Sequence, residues 1–128
     1  MPQSWPLITN YQSLITNYCD TCQFVSYGIH YVNMEIRRTE IFTKWMHGLR
    51  DRKARARIQT RIDRLQLGLL GDVKPVRDGI SELRIDYGPG YRVYYIKRDQ
   101  QLIILLVGGA KRTQDRDIKT ALQLAQNL

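Results

Sequence analysis

The stretch Gly79-Ile80-Ser81-Glu82-Leu83-Arg84-Ile85-Asp86-Tyr87-Gly88-Pro89-Gly90-Tyr91-Arg92-Val93-Tyr94-Tyr95 decides the fold. Residues 80–87 alternate, with Leu83 and Ile85 on one side and Arg84 and Asp86 on the other. Gly88-Pro89-Gly90 is a strong turn, because proline fixes φ and glycine accepts positive φ. Residues 91–96 are aromatic and β-branched, the composition of a strand. Arg92 and Tyr94 share one face there; Tyr91, Val93 and Tyr95 share the other. Two strands joined by a short turn make an antiparallel hairpin.

Downstream, Asp99-Gln100-Gln101 reads as the next turn and residues 102–107 as a buried central strand, which Gly108-Gly109 ends. Thr113 or Asp115 then starts a last helix, with Ile118, Ala121, Leu122 and Ala125 on one side. Upstream, residues 74–76 form a possible short strand. Before them, Ala54, Ile58, Ile62, Leu65 and Leu69 lie on one helical stripe that Asp51 can cap. Arg52, Lys53, Arg55, Arg57, Arg61 and Arg64 fill much of the remainder, as a solvated face. Thr39 is the N-cap of an earlier helix that buries Ile41, Phe42, Trp45, Met46 and Leu49 and ends near Arg50. Residues 34–38 alternate as a short strand. The order predicts an α+β domain. An N-terminal helical hairpin packs on one face of an antiparallel sheet of about four strands, followed by a C-terminal helix.

The chain has 128 residues, room for one domain. Its longest aliphatic run, six residues at 102–107, is far below the roughly 20 of a membrane span. Charge is unevenly spread. All twenty basic residues and eleven of the twelve acidic ones fall in 34–128, so the first 33 residues form a separate, poorly structured arm. The arm holds a tandem repeat, Leu7-Ile8-Thr9-Asn10-Tyr11 and Leu14-Ile15-Thr16-Asn17-Tyr18. Two copies rich in Thr, Asn and Tyr make neither a coiled coil nor a solenoid. It reads as duplicated DNA translated upstream of Met34, the expected initiator. The arm has no basic and apolar leader pattern, and a cytoplasmic protein is expected. Cys19-x-x-Cys22 has only His30 nearby, short of a zinc set, and reads as incidental.

The excess of cations suits a polyanion. No phosphate-loop motif is present. Two histidines, His30 and His47, are too few for a histidine triad or zinc hydrolase. No metal or cofactor is expected. The remaining chemistry is the Arg, Lys and Tyr of the sheet: Arg84, Arg92 and Tyr94, with Lys111 and Arg112 after the central strand. Guanidiniums can hold RNA phosphates and tyrosine rings can stack bases. The same arginines also suit a cross-strand ion pair with Asp86 on a solvated face.

The stretch 79–95 resembles the signature of the RelE/ParE toxin superfamily, in the HigB-like, phage Gp49-like branch of addiction module killer proteins. Phe42-x-x-Trp45, Leu49-Arg50-Asp51, Ala54-Arg55, Gly71-Asp72, Lys74 and the ending 108–118 fit the same branch. The resemblance covers roughly 35–127. It implies a RelE-like fold and the toxin of a type II toxin–antitoxin system. Its target is mRNA on the ribosome, cut through attack of the 2′-OH; ParE-like relatives instead inhibit DNA gyrase, and an inactive nucleic-acid-binding module is a third reading. It also implies a cognate antitoxin, often a helix-turn-helix DNA-binding protein, and no membrane partner. Arg84 and Arg92 match the family's site arginines, and Lys111 and Arg112 its basic pair; Arg84, Arg92 and Lys111 are the catalytic candidates, and Lys74, Arg77, Tyr91, Tyr94 and Arg112 the RNA-binding ones. The RelE-type lysines before the Leu-Arg pair are replaced by Ile80 and Glu82, and the tyrosine of the last helix by Ile118. Proton transfer thus falls to Glu82, Tyr91, Tyr94 or Lys111. A lysine serves as a base only when desolvation or nearby cations loosen its proton.

Overall fold

The computed structural model describes residues 33–128. The tandem repeat, the Cys19-x-x-Cys22 pair and His30 lie outside the described residues. The elements are β1 (Glu35–Arg38), α1 (Glu40–Gly48), α2 (Arg52–Gln66), β2 (Val73–Arg77), β3 (Ile80–Ile85), β4 (Tyr91–Arg98), β5 (Leu102–Ala110) and α3 (Gln114–Gln126). One 3-10 turn, Lys111–Thr113, leads into α3.

The helix starts follow their caps. Thr39 Oγ1 accepts from Phe42 N at 3.0 Å and donates to Leu106 O at 2.6 Å, so one side chain starts α1 and fastens it to β5. The Asp51 carboxylate accepts from Lys53 N and Ala54 N and starts α2. Ala54, Ile58, Ile62 and Leu65 form the buried stripe of α2, but Leu69 lies past its end and is exposed. Arg61 is no solvated side chain. Its guanidinium donates to the carbonyls of Arg84, Leu70 and Asp72, fixing the loop before β2.

The sheet has five strands in the order β1-β5-β4-β3-β2. It is mixed: β1 runs parallel to β5, and the other pairings are antiparallel. The expected all-antiparallel sheet of about four strands is corrected by β1, which reaches the far edge through the two helices as a crossover. Asp78 and Gly79 both have positive φ, as a tight Asp-Gly hairpin turn between β2 and β3 requires.

Helices cover both faces, not one. Phe42, Met46 and the α2 stripe pack with Leu83, Ile85, Tyr91, Val93, Tyr95, Ile103 and Leu105. On the other face, Ile118, Ala121 and Leu122 of α3 pack with Ile80, Tyr94, Leu106 and Val107. Sequence periodicity assigns a strand two faces but does not say which helix takes which. The expected helical hairpin is not confirmed as a unit: α1 lies mainly against β5 and α2 against β3.

Gly108-Gly109 does not end the central strand; β5 continues to Ala110. A side chain at Gly108 would enter the Trp45 ring, and one at Gly109 would meet the Asp117 carboxylate. The pair is glycine because an indole and a carboxylate occupy the two sides of the strand.

A cation-lined sheet face as candidate functional site

Arg84 of β3 and Arg92 of β4 are direct cross-strand partners, so both leave the sheet on the face that carries α3. Arg84 is partly exposed. Its Nε and Nη2 donate to Asp72 Oδ1 at 3.2 and 3.1 Å, so its acid partner is Asp72 and not Asp86. Arg92 is nearly buried. Its Nε lies 3.6 Å from Glu82 Oε2, beyond hydrogen-bond reach, and has no hydrogen-bond partner. A buried guanidinium nitrogen without a hydrogen bond is costly, and the nearby Glu82 charge offsets part of that cost.

Glu82 is the buried centre of this face, 1% exposed. One of its oxygens, Oε2, accepts from Tyr94 Oη at 2.9 Å and from Gln114 Nε2 at 2.6 Å. Gln114 opens α3, so the carboxylate ties that helix to β3 and β4 while countering Arg92. Burial raises the Tyr94 hydroxyl well above the ordinary tyrosine range, and the hydrogen bond to Glu82 and that carboxylate's charge raise it further. The hydroxyl stays a proton donor to Glu82.

Lys111 and Arg112 are exposed in the 3-10 turn. Lys111 N donates to Gly90 O at 2.7 Å, joining this turn to the start of β4. A side-chain carbon at Gly90 would lie 3.6 Å from Lys111 Cβ and 3.9 Å from Arg92 Nη1, so the root of the Lys111 side chain and the Arg92 guanidinium meet at one glycine. A cleft of about 400 Å³ is lined by Lys111, Arg112, Thr113, Gln114, Asp115 and Arg116.

Of the eight residues singled out from sequence, Arg84, Arg92 and Lys111 come together at this end of the sheet, with Arg112 beside them. Lys74 stands opposite Glu82 on the edge strand β2, exposed, and Arg77 is exposed at that strand's end. The other two are placed differently. Tyr94 is fully buried and presents no ring face to a base. Tyr91 belongs to the opposite face, its ring 6.3 Å from Trp45 and nearly edge-on. Asp72 and Gln114 are parts of the site that sequence reasoning did not assign. Thr113 and Asp117 were also missed; Thr113 Oγ1 donates to Asp117 Oδ2 at 2.6 Å, and their i, i+4 spacing was a readable signal. Gln114 gave none, since its role depends on how α3 docks. Among the described residues no group of three or more His, Cys, Asp or Glu is arranged to hold a metal. No helix there is long and apolar enough to cross a membrane.

The mixed α+β architecture, a five-stranded sheet with two helices on one face and a third on the other, is similar to the RelE toxin fold. The solved toxin–antitoxin complex RelBE2 from Mycobacterium tuberculosis superposes with a TM-score of 0.51 at 20% identity, over 62% of this chain and 93% of that one. Residues 44–128 match the model of the phage-derived protein Gp49-like family. An uncharacterized protein of Haemophilus influenzae is 52% identical over 97 residues, 76% of this chain and 98% of the relative. The chain belongs to the Gp49-like family, a toxin–antitoxin addiction-module family.

Proposed function

We propose that this protein is the toxin of a type II toxin–antitoxin pair and a ribosome-dependent mRNA endoribonuclease of the HigB-like kind. The observation that carries this reading is the opposed Arg84 and Arg92 pair, with the turn of Lys111 joined to the start of the same strand. Like charges directly opposite destabilise a sheet. Asp72 and Glu82 each counter one of them, and a phosphodiester reaching both guanidiniums would bridge the pair.

In the proposed reaction the 2′-oxygen attacks the adjacent phosphorus and its proton leaves to a base. The bond to the 5′-oxygen breaks, and that oxygen takes up a proton. The products are a 2′,3′-cyclic phosphate and a 5′-hydroxyl. Arg84 and Arg92 stabilise the charge that builds on the phosphorane oxygens. The Lys111 ammonium, exposed beside Gly90, gives the departing oxygen its proton. Lys74, Arg77 and Arg112 hold flanking phosphates. In the cell an antitoxin, of the helix-turn-helix DNA-binding kind, silences the toxin in the cytoplasm. Residues 34–128 are the toxin domain, and a chain begun at Met34 is expected to fold and cut as the full chain does.

The test adds the protein and its Arg92→Ala variant to a cell-free translation reaction and maps mRNA 5′-ends. New ends in translated message, lost in the variant, are expected. No new ends from folded protein would sink this reading and direct the next assay to DNA gyrase.

A further inference from the structure

A second cleft, of about 310 Å³, shares Arg112 with the reading above, and its other lining residues have no part in it. One wall is apolar, with Trp45 and Leu49 reached through α1 and Tyr91 from the start of β4. The other wall carries Arg112 and Arg116, and the backbone of β5 around Gly108 and Gly109 forms part of the lining. Trp45 is half-buried. Gly108 lies against its ring, and Phe42 and Tyr91 stand 5.7 and 6.3 Å from it. The indole is therefore held in one orientation, with its exposed part lining the cleft.

The cations of the other wall are available. Arg112 forms no ion pair among the described residues. Arg116 is exposed and reaches Asp117 only at 3.7 Å, where Thr113 already donates to that carboxylate. A fixed aromatic ring facing two guanidiniums matches a planar base joined to a phosphate. A volume of about 310 Å³ lies at the small end of the range for ligand pockets.

Position connects this cleft to the first. Arg112, Thr113 and Arg116 line both. Tyr91 of the second cleft is the chain neighbour of Arg92, and the two point to opposite faces of β4. To reach Trp45 from a phosphate at Arg84 and Arg92, RNA would pass around this end of the sheet by way of Arg112 and Arg116, which line both clefts.

We propose that the Trp45 cleft holds the nucleotide beside the cut, with its base against the indole and its phosphate between Arg112 and Arg116. As a subsite it rests on the RNA-cleaving reading; as a nucleotide site it can be measured without cleavage. The chain has two tryptophans, so Trp5→Phe leaves Trp45 as the one indole reporter. The four nucleoside 5′-monophosphates are titrated into that full-length protein and the absorbance-corrected emission is followed. Saturable quenching by at least one of them is expected, retained in Arg84→Ala and about tenfold weaker in affinity in Arg116→Ala. No quenching would overturn the proposal. So would quenching that Arg116→Ala leaves unchanged, or equal quenching by inorganic phosphate. A response to a glutamate-rich peptide in place of nucleotides would also overturn it, and would give the cleft to an acidic protein segment. Cleavage without nucleotide quenching removes the cleft and spares the RNase reading. Quenching without cleavage removes the RNase reading and keeps the cleft as a nucleotide site.

Discussion

Arg84 and Arg92 face each other across β3 and β4, and each is countered by a different carboxylate: Asp72 at 3.1 Å for Arg84, Glu82 at 3.6 Å for Arg92. The first pair is half in solvent and the second is buried. Glu82 counters the second arginine from beyond hydrogen-bond distance, so an incoming anion would add to a charge only partly offset. Phosphate at constant ionic strength is expected to raise the melting temperature, because a ligand at 100 times its Kd stabilises by about 2.7 kcal/mol. Arg92→Ala should abolish that rise and lower RNA cleavage by about 10²- to 10³-fold. A melting curve indifferent to phosphate would argue against an anion site here.

Glu82 holds three partners through one oxygen. Glu82→Ala strands the Arg92 charge in the interior and leaves Tyr94 and Gln114 without their acceptor. A loss of about 3–5 kcal/mol is expected in urea unfolding. Glu82→Gln keeps an acceptor oxygen and should lose less stability, while still weakening the hold on Arg92. Equal losses in the two variants would mean that shape rather than hydrogen bonding matters at this position.

Tyr94 makes the stability of the domain depend on alkaline pH. Its hydroxyl is raised in the folded state, first by burial and then by Glu82, so the folded protein keeps a proton that the unfolded chain gives up near pH 10. The unfolded state then binds fewer protons, and stability falls as pH rises through that point. Below it the contribution is constant. The expected slope from this one group is about 1.4 kcal/mol per pH unit above pH 10. Tyr94→Phe should flatten the decline by that amount; an unchanged slope would assign it to Tyr95, also raised by burial.

The strand order from β2 to β5, both caps of the helical pair and the strand faces that carry Arg84 and Arg92 were legible in the sequence, since turns, caps and period-two alternation are local signals. The sequence did not carry the parallel docking of β1 or the placement of α3 on the far face, which depend on contacts distant in the chain. For the same reason sequence leaves Tyr94 and Tyr91 open between packing in the core and binding RNA. Alternation puts Tyr94 with Arg92, but only the docked α3 shows that this part of the face is covered. Gly108-Gly109 was misread because glycine at a strand's end and glycine under a packed ring look alike in sequence.

Gly108 offers a test of that last point. A methyl group there meets the Trp45 ring, which is itself held by Phe42 and Tyr91. Gly108→Ala is expected to lower stability by about 1–3 kcal/mol and to change Trp45 emission in the folded protein. A stable variant with unaltered emission would show that the indole has room to move aside.

The exposed cations carry a different expectation from the buried one. Lys111 and Arg112 stand in the 3-10 turn with their charges in solvent, so their contribution to RNA binding comes from displaced counterions. Each phosphate contact on a single strand adds about 0.7 to the slope of log affinity against log salt. Lys111→Ala and Arg112→Ala should each reduce that slope by about this amount and weaken binding to all sequences alike. Arg92 lies deep beside Glu82, where its charge is already partly countered, so Arg92→Ala should lower cleavage far more than it lowers the salt slope. Filter binding of a short single-stranded RNA across a salt series, set beside cleavage rates for the same variants, separates the two. A full unit of slope lost in Arg92→Ala with cleavage intact would make Arg92 a holding residue and return the chemistry to the turn.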